Sequence, residues 1–197
     1  MDLVLRISLV KIPGQTHYLE LPERDLSKCI VPKTPENIMD IHFSPIGVIR
    51  TPFAEIKGTP VQPSASQGTQ GRIELNEDLV PGLADLDGFS HLILIYHLHR
   101  SSGYNLQVVP FMDDQPRGLF ATRAPKRPNP IGLSVVKLLR IEGSVLHIEN
   151  IDALDGTPLL DIKPYVPQLD HAPEVRIGWL AEKLELASVA TADERFK

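Results

Sequence analysis

The chain has 197 residues, 42% of them apolar, which suffices for one full hydrophobic core and a small appendage. Its single cysteine, Cys29, excludes an internal disulfide and a cysteine-rich zinc cluster, and the natural setting for such a chain is a reducing cytoplasm. No apolar run approaches the about 18 residues that a membrane span needs, and a formal charge of −5 argues against a generally basic, phosphate-seeking surface.

Residues 1–12 alternate as a strand does, and His17 to Leu21 can pair with them across the Pro13-Gly14 turn, which predicts a small N-terminal hairpin. Residues 22–40 mix charge with three prolines and read as a connection. The expected organisation is therefore an N-terminal extension over 1–40, a main domain over 41–170 and a tail over 171–197. From Ser44 onward the runs PIGVIR, GRIEL, HLILIYHL, GLFATR, IGLSVVKLLRI and VLHIENI are rich in Ile, Leu and Val, and Gly, Pro or Asp punctuates them. Asn76 to Leu86 is the one internal helix candidate, and Pro81-Gly82 interrupts it. Strands do not alternate with long amphipathic helices, so the expected fold is mainly β: a closed or partly open barrel with short peripheral helices. After Asp170, VRIGWLAEKLEL predicts a last strand and a short helix, and ASVATADERFK a frayed end.

Four segments carry candidate chemistry. In ATRAPKRPNPIGLS, Ala121 to Ser134, the cations Arg123, Lys126 and Arg127 sit among Pro125, Pro128 and Pro130, which stiffen the backbone. A preorganised arginine fork can hold a carboxylate through two charge-assisted bonds. Asn129 can donate and accept toward a polar ligand edge, and Gly132 permits close backbone approach. The same composition also fits a basic, proline-rich surface loop or a PxxP ligand. In FSHLILIYHLHR, Phe89, His91, Ile93, Ile95, His97 and His99 share one face of a strand, which suits pocket histidines or, less readily without a neighbouring carboxylate or thiol, a metal site. In DALDGTPLLDIKPY, Asp152, Asp155 and Asp161 surround the Asp155-Gly156-Thr157-Pro158 turn, where a carboxylate accepts from ribose hydroxyls, neutralises an ammonium group or only closes an Asx-turn. Lys163 and Tyr165 flank Pro164 on one side if extended, as a polar pair near a substrate or as a solvated edge. Pro60 to Arg72 is a polar loop of small residues, either a pocket wall or a plain connection.

Taken in order, IGVIRTPF, PVQPSA, GRIEL, GLADLDGFSHL, GLFATRAPKRPNPIGLS and DGTPLLDIKPYVP resemble the TsaA-like (TrmO) family over roughly Ile46 to Asp170. The resemblance implies a β-barrel that binds S-adenosylmethionine without a Rossmann-type glycine fingerprint, which this sequence also lacks. It implies a homodimer that methylates N6 of threonylcarbamoyl-adenosine at tRNA position 37. It places the cofactor on Gln62, His99, Arg100, Arg123 and Leu133, with Asn129 beside them. Asp152 to Asp155, with Gly156 and Thr157 of the same turn, would close the adenosine side. Asp161, Lys163 and Tyr165 of the DIKPY segment would form the catalytic edge, and no metal is called for. Longer family members carry a further C-terminal domain that helps hold tRNA, whereas this chain has 171–197 after the barrel motifs and an N-terminal extension before them. Two alternatives stand beside this expectation: a non-catalytic S-adenosylmethionine-binding or sensor module, and a methyltransferase for another substrate.

Overall fold

The computed structural model describes residues 41–197, except 188, 194 and 197, so the expected N-terminal hairpin and the connection after it lie outside the described residues. The chain divides into two units, Met1–Ile41 and His42–Lys197, and the second holds the strands.

Alternation of large apolar side chains with smaller or polar ones puts one face of each strand into a shared core. The strands are β1 (Gly47–Arg50), β2 (Gln70–Leu75), β3 (His91–His97), β4 (Gln107–Val108), β5 (Arg117–Gly118), β6 (Ile131–Glu142), β7 (Val145–Glu149) and β8 (Thr157–Pro164). Six of them close antiparallel into a barrel in the order β1-β2-β7-β6-β3-β8, with β8 returning to β1, while β4 and β5 form a separate two-stranded ribbon. Closure removes unpaired sheet edges, the feature that makes open sheets prone to association. Ile49, Ile73, Leu92, Leu94, Val136, Leu146, Ile148 and Leu159 point inward and are fully buried, each contributing about 1.5–3 kcal/mol of apolar transfer. On β3 the buried positions are Leu92, Leu94 and Tyr96, so the alternate face with His91, Ile93, Ile95 and His97 is the outside of the barrel. Register shifts interrupt the β3/β8 ladder between Ile95 and Tyr96 and the β6/β7 ladder between Leu138 and Arg140, and bulges of this kind re-aim side chains at barrel rims.

Several expected elements take other forms. GLFATR is not a strand beyond Gly118: Leu119–Ala121 is a 3-10 turn. The Thr122 hydroxyl donates to Leu119 O and accepts from the Ala124 N–H, which satisfies the local backbone without a strand partner. The helix expected over Asn76 to Leu86 is two 3-10 segments, Glu77–Leu83 and Leu86–Gly88. Pro81 has no N–H to continue an α-helical ladder, and Asp85 breaks the run at φ 64°. The strand expected at VRIGW is absent; a 3-10 turn, Gly178–Glu182, leads instead into helix α2 (Leu184–Ala187), and helix α1 (Pro167–Asp170) follows β8. Nor is the end frayed, since Ala190 to Ala192 bond to Gly58, Thr59 and Val61, and Phe196 is buried in a small cluster with Val108, Leu119 and Ala124. Among the described residues no helix is long and apolar enough to cross a membrane.

Candidate functional site

Where β3 ends and β6 and β8 begin, the loops after and before these strands leave a cavity of about 460 Å³, within the range of small-molecule sites. Its apolar wall includes Ile56, Leu98, Phe111 and Leu154; its polar lining includes Gln62, His99, Arg100, Ser101, Arg123, Asp152 and Thr157.

At the inner end, the barrel places three hydroxyl and carboxyl groups in line. Tyr96 lies on β3, Ser134 on β6, and Asp152 in the loop between β7 and β8. The Tyr96 and Ser134 hydroxyls are 2.9 Å apart, and Ser134 Oγ donates to Asp152 Oδ1 at 2.5 Å. A serine hydroxyl has one proton, so Tyr96 must donate to Ser134 and the order of donation is Tyr96 to Ser134 to Asp152. Burial pushes the Asp152 carboxyl up to about 6, against the Ser134 hydrogen bond and the Arg123 charge, which both favour the ionised form. Burial, reinforced by the Asp152 charge, raises the Tyr96 phenol and keeps it a donor. Gly132 is required here for a specific reason: a Cβ at that position would collide with the Tyr96 ring. The close approach expected at Gly132 is therefore that of a tyrosine within the barrel.

Arg123 is exposed at the cavity mouth and donates from Nη1 to Gln62 Oε1 at 3.0 Å. Its loop is stiffened by more than proline. Arg127 Nη1 donates to the carbonyls of Thr122 at 3.0 Å and of Leu119 and Ala124 at 3.4 Å, so this cation ties the turn together from within. Arg100 donates to Ala54 O at 2.9 Å and holds the loop after β1. Burial, then the neighbouring charges of Arg100 and His97, lowers the His99 imidazole and favours its neutral form. Thr157 Oγ1 gives its proton to Leu154 O at 2.8 Å, so toward His99 Nδ1, 3.5 Å away, it can only accept. Ser101 lines the cavity, and its buried hydroxyl has no hydrogen-bond partner among the described residues.

A family sequence model described as the tRNA-methyltransferase O N-terminal domain matches residues 48–171, more than half of the chain. The chain belongs to this family. It is 50% identical over 156 residues to a probable S-adenosyl-L-methionine-binding protein of Pyrococcus abyssi, covering 79% of this chain and 85% of that one. It is 34% identical over 140 residues to the tRNA (adenine(37)-N6)-methyltransferase of Mus musculus, covering 68% of this chain and 32% of the mouse protein. The crystal structure of TrmO from Pseudomonas aeruginosa superposes with a TM-score of 0.60 at 41% identity, covering 72% of this chain and 63% of that chain. This chain thus spans less than two thirds of both the mouse protein and the crystallised TrmO. The closed barrel agrees with the fold that the sequence motifs implied.

Of the residues that the family motifs pointed to, Gln62, His99, Arg100, Arg123, Leu133, Asp152 and Thr157 meet at the cavity. Three of the expected cofactor contacts, Asn129, Asp155 and Gly156, do not line it. Asn129 is exposed, and its carbonyl accepts from Ile131 N. Asp155 turns out of the cavity, and its carboxylate accepts from the Thr51 N–H at 3.1 Å and lies 3.8 Å from Arg50, while Gly156 supplies the φ of 76° that the turn needs. Asp155 belongs to a second, more open cleft lined by Arg50, Arg72, Glu74 and His147, whose arginines are matched by Glu74 and Asp155. Asp161 and Lys163 form an ion pair at 2.7 Å and share the outer barrel face with Ile93 and Ile95, while Tyr165 meets His91 edge-on with ring centroids 6.4 Å apart. The expected catalytic edge thus lies outside the cavity of its own chain. Nor do the three histidines share one strand face, because β3 ends at His97 and His99 turns into the cavity. Among the described residues, no group of three or more His, Cys, Asp or Glu side chains is arranged to hold a metal ion. Sequence reasoning missed Tyr96 and Ser134, although each is a polar residue at an inward position of an apolar strand, and that signal was available.

Proposed function

We propose that this chain is an S-adenosylmethionine-dependent methyltransferase whose acceptor is N6 of threonylcarbamoyl-adenosine at tRNA position 37, acting as a homodimer in the cytoplasm. One observation carries the reading: the cavity pairs a guanidinium, Arg123, with its single lining carboxylate among the described residues, Asp152, beside an apolar wall. That donor set fits a zwitterionic amino acid joined to a nucleoside. When bound, S-adenosylmethionine supplies an electrophilic sulfonium methyl group.

The chain's own residues supply binding and orientation. Arg123, aimed by Gln62, holds the carboxylate end. Asp152, kept in place by Ser134 and Tyr96, neutralises the ammonium group. His99 is favoured in its neutral form and, with Thr157, offers uncharged hydrogen-bonding groups to the sugar side. The mouse relative's name supports the tRNA acceptor. The outer face of β3 and β6, with Ile93, Ile95 and Val135 beside the exposed Ile131 and Leu133, supports the homodimer, because Ile131 and Leu133 also rim the cavity. Asp161, Lys163 and Tyr165 lie beside that face and are assigned to the subunit boundary.

A second reading, a cofactor-binding module without turnover, is favoured by the Pyrococcus abyssi relative, whose name speaks of binding alone. Incubation with methyl-labelled S-adenosylmethionine and tRNA carrying threonylcarbamoyl-adenosine decides between them. Label transferred to the modified adenosine is the expected result; binding by calorimetry with no label on any tRNA would favour the second reading.

A further inference from the structure

The family match ends at residue 171, yet two residues beyond it, Ala192 and Phe196, line the cavity. The segment that carries them is fastened to each of three loops that form the site. At the cationic loop, Trp179 Nε1 donates to Ala121 O at 2.8 Å, and the Arg117 guanidinium lies 5.2 Å above the Trp179 ring centroid. At the loop after β1, Ala192 N donates to Thr59 O at 2.7 Å, Gly58 N to Ala192 O at 2.9 Å and Val61 N to Ala190 O at 3.1 Å, forming a short antiparallel pairing. At the loop after β4, Arg195 Nη1 donates to Pro110 O at 2.6 Å and its guanidinium lies 5.4 Å over the Phe111 ring. Lys183 Nζ adds a contact to Asp113, 3.8 Å away, whose carboxylate Arg117 also holds at 2.8 Å. Phe196, 7% exposed, then meets Phe111 edge to face with centroids 4.9 Å apart, and both rings line the cavity.

We infer that the C-terminal segment is a fixed wall of the ligand cavity in this chain, and that Phe196 with Phe111 forms the surface that receives the planar heteroaromatic end of the ligand. The inference rests on the reading of the cavity as the S-adenosylmethionine site, with Arg123 and Asp152 taking the charged end. Aromatic rings give a flat base contact area and dispersion without demanding a particular hydrogen-bond pattern. Because the wall is already bonded to all three loops, the ligand does not have to order it on binding.

Two ligands separate the ends of the cavity: S-adenosylhomocysteine, which carries both adenosine and carboxylate, and methylthioadenosine, which lacks the carboxylate. In the full-length protein, Phe196→Ala weakens both by about tenfold in calorimetry, whereas Arg123→Ala weakens only S-adenosylhomocysteine. Ala192→Pro, which removes the donor to Thr59 O and no barrel side chain, weakens both ligands by the same route. Thermal unfolding checks that the barrel stands, since Phe196 belongs to a cluster separate from the barrel core. If both tail variants bind both ligands within about twofold of the parent while Arg123→Ala has lost S-adenosylhomocysteine, the wall is overturned and the cavity reading survives. If Arg123→Ala binds S-adenosylhomocysteine as the parent does, the cavity reading fails and this inference falls with it.

Discussion

Asp152 sits where burial and charge pull against each other. Its carboxyl is raised from 3.8 to about 6, chiefly by burial. In the unfolded chain it ionises near 3.8; in the folded chain it holds its proton to about 6, so the native state binds more protons between those values. Stability from this group is therefore present below the unfolded value, declines as pH rises through the window, and is gone above about 6, where the buried carboxylate is a cost. Asp152→Asn keeps an acceptor for Ser134 without the charge. It is expected to be more stable than the parent at pH 8 by roughly 1–3 kcal/mol, with the difference vanishing near pH 4; calorimetric melting at both pH values checks this. The same variant loses affinity for S-adenosylmethionine at pH 8, a gain in stability set against a loss in binding. Gly132→Ala tests the neighbouring packing, because its methyl group meets the Tyr96 ring. Urea unfolding should show a loss of about 1–3 kcal/mol, and no loss would mean that the ring has room to move.

At the level of elements, the loop between β5 and β6 shows how a sequence signal can be right about stiffness and silent about its cause. Its prolines were legible, but the central part of Arg127, donating to three carbonyls of its own loop, was not. The two protons of Nη1 are shared among these carbonyls in the fixed plane of a guanidinium, a geometry that a flexible ammonium does not reproduce. Arg127→Lys is thus expected to keep the charge and lower cofactor affinity by about tenfold, measured by calorimetry; unchanged affinity would reduce Arg127 to a surface cation. Strands β1, β2, β3, β6 and β7 were legible because their alternation with period two survives folding as buried Leu92, Leu94 and Val136 against outward Ile93 and Val135. The run through Leu119 to Arg123 was misread because its apolar residues resemble a strand, whereas the Thr122 hydroxyl satisfies the backbone locally.

For the whole molecule, the outer face of β3 and β6 is the place where a second copy is expected to meet the barrel. Leu133 is 55% exposed on that face and also rims the cavity. Leu133→Arg places a charge in an apolar contact, so sedimentation should show a monomer where the parent is a dimer. A parent that already sediments as a monomer would end the homodimer proposal.

The amino-acid sequence by itself determined the mainly β barrel, the family and most of the polar cavity residues, because local alternation and short ordered motifs survive whatever the rest of the chain does. Only the tertiary structure decided which of those residues share a site. Asp155 and Asp152 are three positions apart, yet one closes a turn against Thr51 and the other enters the cavity. Phe111 and Phe196 are remote in sequence and touch. The cavity is assembled from loops and a tail whose spacing along the chain carries no trace of their meeting, since closure of the barrel and hydrogen bonds between distant backbones bring them together.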